Sequence, residues 1–351
     1  MAYTTIDDPS AHFQTKLYTG TGNELVITND GNSDLQPDFI WIKNRTDGST
    51  NHHAVNTSIG STRNLFVNKT DYEEGQAQSV KSIQSDGFTL GTWDGDNINA
   101  KNFVAWQWKA NGGTTASNSD GSIATTTQVN SDAGFSIVTW AGGGTGSLGH
   151  GLGEVPDMWI VKNRDYAVSW AVGFSDSSIL GGTSNYLSLN TTQAILTYNN
   201  IWGSSPVNSS VITMAGDRLV NISGNNYVGY FFKAIQGYSK FGKYVGNSST
   251  DGTFVYLGFK PRWLMIKSTQ AGMSWDIMDT ARSTSNVMDD YLTANTDDPQ
   301  GTSATKNVDF LSNGFKWRYG NNTNFSDHTY IYMAFAENPF TTSTGIPTTA
   351  R

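Results

Sequence analysis

The chain has 351 residues, more than one hydrophobic core ordinarily serves, so two or three units are expected. Charged residues at 15%, 37 glycines and 12% aromatics favour short strands and tight turns, and exclude long helices and intrinsic disorder. A net charge of −8, with Lys and Arg scattered singly, lacks the basic stripe that nucleic-acid binding needs, and the absence of cysteine removes disulfides and zinc–thiolate sites.

In chain order, residues 1–14 open with Met1-Ala2-Tyr3-Thr4-Thr5-Ile6-Asp7-Asp8, which has neither the charged nor the apolar region of a signal peptide. No run of about 18 apolar residues follows anywhere. The expectation is a chain made soluble in a cytoplasm, no membrane insertion, and an N-terminal arm that orders only on a partner.

Residues 15–110 begin a plan that recurs three times, and a repeat of this kind governs the whole fold. An aromatic–x–Gly opening stands at Tyr18-Thr19-Gly20, Trp140-Ala141-Gly142 and Tyr244-Val245-Gly246. A proline with lysine six residues later follows at Pro37 to Lys43, Pro156 to Lys162 and Pro261 to Lys267. Apolar segments recur next at His53-Ala54-Val55, Trp170-Ala171-Val172 and Trp275-Asp276-Ile277. Each copy then closes on an aromatic strand: Asn102 to Lys109, Asn226 to Lys233 and Thr329 to Ala336. Just before it, Asp86-Gly87 and Asn313-Gly314 have the composition of type I′ hairpin turns, with Gly216-Asp217 as a weaker counterpart.

The spacing predicts an all-β chain of three tandem β-sandwich repeats, jelly-roll or lectin-like, over residues 15–110, 135–234 and 241–337. Proline heading the lysine strand fits, because proline is tolerated at the first residue of a strand. Residues 111–134, rich in Gly, Ser, Thr, Asn and Asp, read as an extended linker that lets the first repeat swing, and 338–351 reads as a C-terminal arm. Arg45, Arg164 and Lys267 follow the same strand, with Lys43 and Lys162 just ahead, which suggests a contact between repeats or a solvated strand end.

Catalytic patterns are wanting. His12, His52, His53, His150 and His328 show no His-Glu-x-x-His spacing, and Gly143-Gly144-Thr145-Gly146-Ser147 has no helix behind it for an anion. Glu73-Glu74, Asp289-Asp290 and Asp297-Asp298 read as solvated loops rather than a glycosidase pair, and Asp94-Gly95-Asp96-Asn97 as a turn rather than a calcium loop. No enzyme, cofactor or metal site is expected. Rings flanked by amides in loops suggest receptor contact instead: Trp93, Asp94 and Asn97 in the first repeat, Trp202 in the second, and Tyr319, Asn321, Asn322 and Asn324 in the third.

These motifs, with Lys16-Leu17-Tyr18-Thr19-Gly20, Trp159-Ile160-Val161-Lys162-Asn163-Arg164 and Tyr330-Ile331-Tyr332-Met333-Ala334-Phe335-Ala336-Glu337-Asn338-Pro339-Phe340, resemble a family of phage-encoded repeat proteins regarded as tail-fibre-like or virion structural proteins. The resemblance implies a structural protein on the virion surface, with other phage virion proteins as partners. It leaves open a tail fibre that recognises a host surface glycan or protein, a capsid decoration, and, less favoured, a carbohydrate-active depolymerase. A trimer or ring of copies is expected, because closed symmetry multiplies weak contacts.

Overall fold

A computed structural model of the chain describes residues 2–198, 201–203, 205 and 207–348. Among them, regular structure is almost entirely antiparallel strand, with two single-turn α-helices at Asp94–Asn97 and Ser177–Leu180. The all-β expectation holds. No helix among the described residues is long and apolar enough to cross a membrane.

Each repeat lays a large sheet against a small one. In the first, Asn102–Trp108 runs between Phe13–Thr19 and Phe39–Asn44, and the sheet continues through His53–Asn56 and Gly60–Phe66. The small sheet is Leu25–Thr28, Gly87–Leu90 and Val80–Gln84. The same order recurs around Asn226–Phe232 and around Thr329–Pro339.

Strand alternation explains why the closing strands are so aromatic. Side chains point to opposite faces in turn, and here both faces are covered. Phe103 and Ala105 face the small sheet of their own repeat, with Ile40, Ile42 and Phe88. Val104, Trp106 and Trp108 face the other way, into a core shared with Val228, Tyr230 and Phe232 of the second repeat and Ile331, Met333 and Phe335 of the third. The three large sheets therefore pack back to back. Trp108 and Phe335 rings meet at 5.7 Å, and Phe232 and Phe335 at 6.1 Å.

The contacts between repeats form a closed ring. Glu73 N–H donates to the Arg164 carbonyl at 2.8 Å, Ile195 to Thr269 at 3.0 Å and Gln300 to Arg45 at 3.0 Å. The second repeat thus grips the first, the third the second, and the first the third. Trp170 Nε1 donates to the Phe66 carbonyl and Trp275 Nε1 to the Ser188 carbonyl, each at 2.9 Å. In the first repeat the position is His52, whose ring meets the Thr293 carbonyl with Nε2 outside standard hydrogen-bond geometry. His52 Nδ1 accepts from Trp41 Nε1 at 2.9 Å, which fixes the neutral tautomer.

Several sequence expectations are corrected. Residues 111–134 are not a free linker: Ala116–Asn118 and Thr125–Asn130 extend the large sheet of the second repeat. Alternating threonines are β-branched and suit a strand, and backbone pairing does not require apolar side chains. The first repeat cannot swing, because its axial face is buried in the shared core. The arms are docked too. Thr4 Oγ1 donates to the Gln236 carbonyl and Ile6 is buried, while Ser343 N–H donates to Asp7 at 2.6 Å. Asn338 and Pro339 pair with Lys260 and Phe259. Residues 349–351 lie outside the described residues.

The hairpin turns are Ser85-Asp86 and Ser312-Asn313, each one residue earlier than expected. Gly87 begins the next strand, where a Cβ would stand 2.0 Å from the Ile27 carbonyl oxygen, so close approach requires glycine. The counterpart of that strand in the second repeat is Val211–Met214, not the Gly216-Asp217 segment, which turns away after it.

Candidate functional site

Features that repeat in all three copies belong to the scaffold. Lys43, Lys162 and Lys267 are buried at the axial face. Lys43 Nζ donates to the Thr50 and Asp297 carbonyls, Lys162 to Thr70 and Val168, and Lys267 to Ser268 and Gln270. The first two therefore reach the neighbouring repeat. Burial lowers their pKa values, to about 8, 7 and 8, against the smaller pull of nearby aspartates. Lys267 corresponds to Lys43 and Lys162, and Thr269 to Arg45 and Arg164. The Arg45 and Arg164 guanidiniums cross the seams to Gln300 and Glu73, with Nε to oxygen distances of 2.7 and 2.6 Å.

A second repeated feature is a buried asparagine that latches the loop after the opening strand. Asn97 donates to the Asn23 and Gly91 carbonyls, Asn221 to Gly144, and Asn324 to Ser249 and Tyr319. Asn97 and Asn324, expected to face a receptor, are therefore corrected to structural latches: both are fully buried and their amides are occupied by the backbone. Trp93 packs against His53 with ring centroids 4.5 Å apart and planes tilted by 42°, and Asp94 is exposed beside it. Tyr319 is half-buried, Asn321 exposed, and Asn322 donates to Thr305 Oγ1 at 2.6 Å. The structure keeps these residues on two separate repeats, distant in role from Trp202.

Trp202 lies in the feature that breaks the symmetry. The small sheets of the first and third repeats have three strands, whereas that of the second has two among the described residues. Trp202, Ser205 and Val207, from the stretch corresponding to the third strand, instead line a pocket of 450 Å3. Its other walls include Trp159, Phe174, Ile212, Asp176 and Ser177. Trp159 and Trp202 meet edge to face at 5.3 Å, and Trp202 Nε1 donates to the Asn185 carbonyl at 2.8 Å. Trp159 Nε1 is buried without an acceptor.

Gly173 makes room for these rings. A Cβ there would stand 2.7 Å from Trp202 Cε2 and nearer still to Trp159 Nε1, and the register-equivalent residues are Val55 and Met278. Asp176 caps the short Ser177–Leu180 helix through the Ser178 N–H at 2.8 Å, which with the Ser178 hydroxyl lowers its pKa. The pocket thus offers two indoles and a phenyl ring beneath hydroxyls and one fixed carboxylate, the apolar floor and few polar groups typical of small-molecule sites.

A family model described as "Domain of unknown function (DUF7483)" matches residues 8–339. The chain belongs to that family. No curated protein matches it. The matched span covers all three repeats, so the DUF7483 unit is the closed ring and not the single sandwich.

One further constellation in this DUF7483 chain has the residue types of a hydrolase. His53 Nδ1 lies 2.5 Å from Asp96 Oδ1, and Ser79 Oγ donates to Asp96 Oδ2. The order is wrong for a nucleophile, since the serine donates to the carboxylate and not to the imidazole. All three side chains are buried under Trp93, so the trio ties Asp94–Asn97 to its sheet. Among the described residues, no group of three or more His, Cys, Asp or Glu side chains is arranged to hold a metal ion.

Proposed function

We propose that the protein is a non-catalytic component of a virus particle, carried on its surface as a tail fibre or tail-associated part, that contributes to recognition of the host. The observation that carries this reading is a closed ring of three sandwiches around one shared core, with a pocket in the second repeat lined by Trp159, Phe174 and Trp202. Rigid scaffolds with a differentiated loop region suit binding, because little ordering entropy is lost on contact. The burial of the His53–Asp96–Ser79 trio supports a non-catalytic role. The resemblance of the repeat motifs to phage virion proteins supports the setting.

The test is immunogold labelling of intact particles with antibody against the folded chain, together with competition of host adsorption by the purified protein. Label at the tail and reduced adsorption are expected. Label spread over the head would replace this reading with capsid decoration, and unlabelled particles that contain no copy of the chain would overturn it.

A further inference from the structure

The three seams of the ring are built alike in backbone but differ in what they expose. Tyr72 and Tyr166 stand at the seam between the first and second repeats, and Tyr198 on the segment by which the second repeat reaches the third; they are 54%, 46% and 47% exposed. The backbone bonds that align the seams place Asp47 and Ala271 where Tyr166 stands, and Gln76 and Ser303 where Tyr198 stands. None of these four equivalents is aromatic. Beside Tyr198 runs an open groove of 590 Å3 that includes Tyr186, Gln193, Asp217 and Arg218 of the second repeat and Thr70 of the first.

Arg218 is the second observation. Its guanidinium lies 4.2 Å above the Tyr166 ring. Of the other described arginines, Arg45, Arg63, Arg164, Arg262, Arg282 and Arg318 each have a side-chain hydrogen bond or ion pair. Arg218 has neither among the described residues, although it is exposed on a chain with net charge −8. The neighbouring Asp217 is engaged elsewhere: it accepts from the Leu219 N–H at 2.7 Å and from the Tyr198 hydroxyl. An arginine lying over a ring and not paired with a carboxylate keeps its fork of donors for a planar anion.

We propose that this seam binds a saccharide bearing a carboxylate, that is, a uronic acid unit of an acidic polysaccharide. The tyrosine rings take the C–H faces of the pyranose, Gln193 and the hydroxyl tips meet its hydroxyls, and Arg218 pairs with the carboxylate. The groove is shallow and open along the seam, which suits an internal unit of a chain. The proposal stands apart from the pocket in the second repeat and from the virion setting.

The experiment titrates the full chain with tetrasaccharides containing glucuronate, galacturonate or mannuronate, following the tyrosine and Arg218 side-chain signals by NMR. A neutral tetrasaccharide of N-acetylglucosamine and a hexaglutamate peptide serve as comparisons. Saturable binding to at least one acidic tetrasaccharide is expected. Arg218→Gln should weaken it by about 10- to 100-fold, the range for a charge-assisted hydrogen bond. Tyr166→Ala should weaken it as well, with both variants melting at the wild-type temperature because these side chains are exposed. No saturable binding to any of the three, equal binding of the neutral sugar or the peptide, or an unaffected Arg218→Gln variant would overturn the proposal.

Discussion

Gly173 and the buried lysines show how single side chains set the balance between scaffold and site. Substituting Gly173→Val adds atoms where the indoles of Trp159 and Trp202 already lie, and overpacking of this kind costs about 1–3 kcal/mol. Denaturant unfolding should show that loss, whereas Val55→Gly should leave a void and destabilise the first repeat instead. The lysines make a different prediction. An unfolded lysine holds its proton to about pH 10.4, but Lys43, Lys162 and Lys267 release theirs near 8, 7 and 8 in the folded chain. Between those values the unfolded state binds more protons, so stability rises with pH. His52, held neutral by burial and then by the charge of Lys43, extends the trend downward, with stability lost as pH falls through the ordinary histidine range. Buried tyrosines such as Tyr227 and Tyr332, raised to about 12 by burial, reverse it above pH 10, where unfolded tyrosine ionises first. Melting temperature should therefore peak near pH 9–10, and Lys162→Met should flatten the rise above pH 7.

At the scale of the element, a strand in this protein serves two cores. The closing strands alternate between the private core of a repeat and the shared axial core, so almost every residue on them is buried. The seam bonds are equally specific. Trp170→Phe removes the indole donor to the Phe66 carbonyl and leaves it the Lys69 N–H at 3.2 Å, and Trp275→Phe leaves the Ser188 carbonyl the Thr191 N–H at 3.3 Å. Each should cost about 0.5–1.5 kcal/mol for the lost hydrogen bond, measured by urea unfolding. His52→Phe removes a looser contact to Thr293 but orphans the buried Trp41 Nε1, so a larger loss of about 1–3 kcal/mol is expected.

Considered whole, the molecule closes three repeats around one core within a single chain. Trp108, Phe232 and Phe335 are buried inside that closure, so the trimer or ring of copies that the sequence suggests would assemble through other surfaces. Light scattering tests this: a multiple of the chain mass of 38.1 kDa is expected, and a particle near the chain mass itself would count against it. A shared core also joins the repeats thermodynamically: one cooperative unfolding transition is expected, and residues 15–110 expressed alone should not fold, since that fragment leaves one face of its large sheet uncovered. Three separate transitions would show that the repeats are independent. The sequence alone carried the all-β class and the three copies, because period-two patterning and turn chemistry are local, whereas the strand order within each copy emerged only from the pairing in space. It did not determine that 111–134 would be strand or that both arms would dock, since threonine-rich segments pair through a backbone that composition does not describe. Nor did it single out Gly173, Trp159 or Arg218. Their significance is a difference between equivalent positions, and equivalence became visible only when the seam hydrogen bonds aligned the three repeats in space.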